Sequence, residues 1–159
     1  RVLVRLGTPN YTVGAIALIE RDGEVLLVRQ AYRANWGAPG GLLQRGEDAL
    51  AGLRREVIEE IGIDVEVVGA PTVVVAPDPQ RVDIVFRARP TVGAVEPHPR
   101  SAEILEVRWH PLDALPELQH ELAAALHVAG HHAGGGSDGR DVVTPVAMRA
   151  VAEPTREAG

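Results

Sequence analysis

The stretch GLLQRGEDALAGLRREVIEEIGI, from Gly41 to Ile63, carries more structural information than any other part of the chain. Within it Leu50, Leu53, Val57 and Ile61 recur at i, i+3, i+7 and i+11, which at 3.6 residues per turn makes one apolar stripe. The spacing therefore predicts an amphipathic helix with that stripe on a core. Glu56, Glu59 and Glu60 fall on a polar arc beside the stripe, where the three carboxylates can meet at a single point. Like charges at such spacing cost a helix a few tenths of a kcal/mol per pair, roughly, and more when water is excluded, so a cation is expected among them.

Hard carboxylate oxygens select Mg²⁺, with Mn²⁺ as a substitute, over zinc; the chain has no cysteine and no His-x3-His helix to argue for a softer metal. The competing reading is a solvated glutamate-rich helix face, the usual explanation of a charge run. It is disfavoured by the fixed spacing Gly-x5-Glu-x7-Arg-Glu-Val-x-Glu-Glu-x-Gly-Ile, which chance supplies at a given start on the order of 10⁻⁹ or less.

That spacing resembles the Nudix box, the signature of the Nudix hydrolases, with every defining position filled. The lead-in Asn35-Trp36-Gly37-Ala38-Pro39-Gly40-Gly41 is similar to the family's Pro-Gly-Gly turn. The resemblance implies Mg²⁺-dependent hydrolysis of the pyrophosphate in a nucleoside diphosphate linked to another moiety: ADP-ribose, a nucleotide sugar or a modified nucleoside triphosphate. Carried over residue by residue, the metal ligands would be Glu56, Glu59, Glu60 and the Gly40 carbonyl, with Glu59 and Glu60 the firmest. Glu47, taken to open the helix, and Arg55 would support them. The general base would come from outside the box, from Glu103 or Glu106, with Glu103 preferred. Arg29, Arg33 and Arg81 border the expected site as phosphate-binding cations, and Tyr32 and Trp36 are candidates for stacking on a ring, although aromatics beside a loop more often pack. Pro79, sixteen residues beyond Ile63, is a position the resemblance links to ADP-ribose, but it already lies in a turn. A non-catalytic nucleotide-sensing module is the alternative; the intact box disfavours it, and the absence of cysteine disfavours isoprenoid diphosphate isomerase chemistry.

The remaining sequence predicts an α+β order of elements. Tyr11 to Ile19 and Glu24 to Gln30 read as a β-hairpin around Asp22-Gly23. Val65 to Val68, Val73 to Ala76, Val82 to Arg89 and Ile104 to Trp109 read as strands, and Pro116-Glu117 as the start of a second helix running to Ala129. The resemblance implies an α/β/α sandwich around a mixed β-sheet. A length of 159 residues, 45% of them hydrophobic, suits one domain, placed at residues 1–129 and followed by a Gly-rich, flexible tail at 130–159. His131 and His132 have no third ligand nearby in sequence and are set aside as a metal site. Five aromatic residues and a net charge of −6 disfavour a polymeric nucleic acid partner and an acidic membrane surface. With no cysteine and no apolar run long enough to span a bilayer, a cytoplasmic location is expected; the chain opens on Arg1 rather than Met, which leaves room for a short preceding segment. The resemblance allows a homodimer, an assembly common among relatives, and leaves the oligomeric state open.

Overall fold

The structure is a computed structural model that describes residues 10–130. The expectations for the chain's first nine residues, the Gly-rich tail and the histidine pair lie outside them. In chain order the elements are β1 (Thr12–Arg21), β2 (Glu24–Gln30), β3 (Gly40–Leu42), α1 (Ala49–Ile61), β4 (Val65–Val67), β5 (Thr72–Ala76), β6 (Arg81–Pro90), β7 (Ile104–Pro111) and α2 (His120–Val128). The seven strands form one mixed sheet in the order β4-β6-β1-β2-β7, with β3 added to β1 and β5 to β6. Strand β1 runs parallel to β6 from Thr12↔Arg81 to Ile19↔Ala88 and antiparallel to β3.

The sheet is buried on both faces, so its central strands read as continuous apolar runs rather than as an alternation. Side-chain alternation then sorts each strand between two cores. Ala15, Ala17, Ile19, Leu26, Val28, Phe86 and Ala88 face α1 and meet its Leu53, Val57 and Ile61. Ile16, Leu18, Val25, Leu27 and Val85 face the other way and meet Leu122, Ala125 and Leu126 of α2. The layers are therefore helix, mixed sheet, helix: an α+β sandwich.

Four details depart from the sequence reading. Leu50 stands 40% exposed while Leu53, Val57 and Ile61 are fully buried; in the first turn of α1 it is Ala49 that packs against the core. The β1–β2 hairpin pairs directly only at Glu20↔Val25 and Arg21↔Glu24; further back, β3 takes the edge of β1 and Gly37 bridges to Val28. Strand β3 itself was expected to be loop. Helix α2 begins at His120, not Pro116, since the backbone of 117–119 is engaged with Trp36 instead: Trp36 N donates to Glu117 O at 3.0 Å and Gln119 N to Trp36 O at 2.8 Å.

Candidate active site

Helix α1 is positioned by its ends. The Asp48 side chain accepts from Leu50 N at 3.0 Å and Ala51 N at 3.1 Å, satisfying two of the amides a helix start leaves open. Gly62 ends it at φ 76°, a left-handed cap whose N–H returns to Ile58 O. Asp48, rather than Glu47, thus opens the helix. Between these ends the buried stripe fixes the rotation, and that rotation turns Glu60 inward, to 7% exposure, against the short strand β3.

The two glycines of β3 make room for the carboxylates. Glu60 Oε2 accepts from Gly40 N at 2.9 Å. A Cβ on Gly41 would stand 2.6 Å from the carboxyl carbon of Glu56, and one on Gly40, at φ 142°, would stand 2.1 Å from Ala15 O. No other residue fits at either position without moving the strand or the acid.

Arg55 spans the neighbouring acids. Its Nε and Nη2 donate to the two Glu47 oxygens at 2.8 and 3.0 Å, and Nη1 donates to Glu56 at 2.7 Å and to Glu59 at 3.3 Å. The Arg55 hydrogen bonds, aided by Gln44 N, hold the Glu47 carboxyl down at about 2. Glu47 is in this way committed to Arg55.

Glu60 has the opposite environment. Burial pushes its carboxyl up to about 7; the Gly40 amide opposes that shift, and the charges of Glu56, Glu103 and Glu59 reinforce it. Three further acids therefore act on Glu60 here, Glu56 and Glu59 from α1 and Glu103 from the loop before β7. That loop is tied to the end of α1, with Arg100 N donating to Glu60 O at 2.9 Å and His98 N to Ile61 O at 3.1 Å, and Glu103 O accepts from Ala31 N at 2.8 Å. The carboxylates do not meet at one point, however. Among the described residues no group of three His, Cys, Asp or Glu side chains stands ready to hold a metal ion, and the reason is visible: Arg55 engages Glu56 and Glu59 while Glu60 bonds the backbone. As a donor set the group still fits a hard dication, being all oxygen, pressed against a glycine backbone, and short of positive charge where Glu60 is buried.

The other candidates are spread more widely. Arg29 pairs across the β2–β7 ladder with Glu106 at 3.1 Å, and Glu106 also bonds Arg108, so Glu106 belongs to a sheet ion-pair cluster. Arg33 reaches Gln119 at 3.0 Å and Glu121 at 3.2 Å at the start of α2. Trp36 packs edge-on against His110, centroids 4.7 Å apart, beside the α2 core. Tyr32 is 64% exposed, and its hydroxyl, raised by burial, also senses Glu103, Arg33, Glu60 and Arg81, which places it between the acidic cluster and the arginines. Pro79 lies in the turn between β5 and β6. Sequence reading missed Asp83, Gln119 and Glu121. The signal for Asp83 was present, an acid inside the apolar run of β6, where it is 3% exposed and bonded to Arg81. A cavity of about 430 Å³, lined by Arg21, Arg89, Thr91 and Glu96 among others, opens at the far ends of β1 and β6, and none of the acidic cluster lines it.

A two-helix sandwich with a glutamate-bearing helix laid against a Gly-Gly strand defines a Nudix-type domain. The NUDIX domain model matches residues 8–129, and the chain belongs to the Nudix hydrolase family. Over 113 residues it is 37% identical to the human 8-oxo-dGDP phosphatase NUDT18, covering 67% of this chain; the match spans 33% of that protein, a third of its length. It is 36% identical over 130 residues to a MutT-like protein of Streptomyces ambofaciens, covering 78% of this chain and 82% of that one. Among solved structures, a MutT NUDIX hydrolase from Burkholderia pseudomallei superposes with a TM-score of 0.65 at 28% identity, over 75% of this chain and 98% of that one. No helix among the described residues is long and apolar enough to cross a membrane.

Proposed function

We propose that the chain hydrolyses the pyrophosphate bond of a nucleoside diphosphate joined to another moiety, in a reaction that depends on Mg²⁺ or, in its place, Mn²⁺. The observation that carries this reading is Glu60, a buried carboxylate held on the Gly40 amide and crowded by Glu56, Glu59 and Glu103. Such an arrangement is costly to fold and makes sense where a cation and a phosphate are to be bound. Glu56, Glu59, Glu60 and the Gly40 carbonyl would hold the metal, which when bound supplies charge neutralisation on the diphosphate and a bound water of lowered pKa.

The chain's own groups supply the rest. Arg55 aims Glu56 and Glu59 through charge-assisted bonds and is itself anchored on Glu47, so the acids are oriented before substrate arrives. Glu103 takes the proton of the attacking water, its loop fixed to Ala31 and to the end of α1. Arg33 meets the outer phosphate or sugar from the α2 side, and the compound classes to test are 8-oxo-dGDP and related nucleotides, ADP-ribose and nucleotide sugars. The net charge of −6 favours small substrates gathered by local arginines over a nucleic acid polymer.

A panel of these compounds, assayed for both products by mass spectrometry with Mg²⁺ and with EDTA, tests the reading in wild type, Glu60→Gln and Glu103→Gln. Turnover of at least one compound is expected, abolished by EDTA and reduced at least about 100-fold in each variant. Turnover that survives EDTA and Glu60→Gln refutes it.

A further inference from the structure

Asp83 is a charged side chain in an apolar setting. It lies on the α2 face of the sheet, between Val74 and Gly14 on the neighbouring strands, with Ile16, Val74, Val85 and Leu122 forming the core beside it. Burial raises its carboxyl and Arg81 opposes that shift. A buried Arg–Asp pair contributes little to stability compared with apolar side chains of the same size, so stability alone does not account for it.

The detailed geometry gives the pair a direction. Arg81 Nε donates to both Asp83 oxygens at 2.8 Å, and among the described residues its two terminal amino groups carry no hydrogen bond. Gly14 supplies the space: a Cβ there would stand 2.5 Å from Asp83 Oδ1, 3.0 Å from Arg81 Nη2 and 3.2 Å from Gly41 O. The guanidinium is therefore separated from the acidic cluster by the backbone of β3, with Glu56 against the other side of Gly41. Arg81 also acts electrostatically on Tyr32 and Glu121, so its charge lies near the exposed Tyr32 and the start of α2.

We infer that Arg81, aimed by Asp83 and given room by Gly14, recognises the carbonyl edge of the substrate's nucleobase rather than its diphosphate. The diphosphate belongs on the α1 side with the carboxylates, whereas the α2 side offers the exposed Tyr32 ring and a planar fork of donors. A flat base with oxygen acceptors on its edge fits that combination; two amino groups of one arginine match adjacent acceptors such as guanine O6 and N7, and adenine presents a donor in place of one of them. Asp83 is then a positioning residue.

The location of the base pocket rests on the site being a nucleotide hydrolase, so the test reads binding apart from turnover. Calorimetry with GMP, UMP, AMP and ribose 5-phosphate is performed on wild type, Arg81→Ala, Arg81→Lys and Asp83→Asn, each checked for folding by circular dichroism. Wild type is expected to bind GMP at least about tenfold more tightly than AMP, UMP or ribose 5-phosphate. Arg81→Ala and Asp83→Asn remove that preference, and Arg81→Lys, which keeps the charge but not the fork, fails to restore it. Equal loss of affinity for ribose 5-phosphate, or rescue by lysine, would show that Arg81 binds phosphate and would overturn the inference; so would an unchanged base preference in Arg81→Ala. Should wild type bind GMP through Arg81 yet hydrolyse nothing, the hydrolase reading fails and this one stands.

Discussion

At the scale of single residues, Glu60 carries the strongest prediction because its folded and unfolded environments differ most. Its carboxyl sits at about 7 in the fold against 4.5 in a free chain. Between those values the folded protein keeps a proton that the unfolded chain has released. Its contribution to stability is complete below about 4.5 and is lost as pH rises through about 7, a loss on the order of 3 kcal/mol. Metal-free protein is thus expected to melt lower at pH 8 than at pH 5.5 through this group. Glu60→Gln should flatten that dependence and raise Tm at pH 8 while lowering activity, which thermal melts across pH in EDTA will check. An unchanged pH profile in the variant would assign the destabilisation elsewhere. Arg55 makes a complementary case: truncation to Ala leaves Glu47, Glu56 and Glu59 without their shared partner, and kcat should fall at least about tenfold. Lysine, a point charge lacking the fork, should rescue it only in part.

At the scale of elements, β3 and α1 separate stability from function. Asp48→Ala removes the cap of α1 and should cost about 1 kcal/mol in denaturant melts with kcat little changed, because no carboxylate of the site depends on Asp48. Gly41→Ala should do the reverse, since its methyl group meets the Glu56 carboxyl on an otherwise intact strand; activity is expected to fall at least about tenfold with a smaller change in Tm. This division also explains what could be read from sequence. Helix α1 was legible because Leu53, Val57 and Ile61 impose a 3.6 period, and β1 and β2 because Asp22-Gly23 sits between two apolar runs. Strand β3 was not, since Gly40 and Gly41 have no side chains to alternate; its pairing is dictated by the edge of β1. The start of α2 was misread because Pro116 is a good first helical residue in isolation, whereas the bridge from 117–119 to Trp36 is a long-range contact without a local signal. Within the site, the spacing of the box located Glu56, Glu59 and Glu60 but not the inward turn of Glu60 or the hold of Arg55 on its neighbours. Those follow from which side of α1 the sheet covers, and the parallel β1–β6 pairing that sets it is invisible in either strand alone.

For the whole molecule, the sandwich places acids and cations on two sides of one strand. Helix α1 brings the carboxylates to one face of the β1–β3 edge, and β6, α2 and the connection after β2 bring Arg81, Glu121 and Arg33 to the other. On the proposed reading this suits a ligand with two chemically different ends. Metal binding, as proposed, would couple this arrangement to stability. If the proposed site is occupied, a dication binds the ionised form of Glu60, so Mg²⁺ should raise Tm more at pH 8 than at pH 5.5, opposite in direction to the trend in EDTA. The central claim, that the acidic cluster of α1 is a dication site, is tested most directly by calorimetric titration of Mg²⁺ and Mn²⁺ into wild type and Glu60→Gln at pH 8. Saturable uptake in wild type that is lost or weakened at least about tenfold in the variant is the predicted result; no saturable uptake, or uptake indifferent to Glu60, would contradict it.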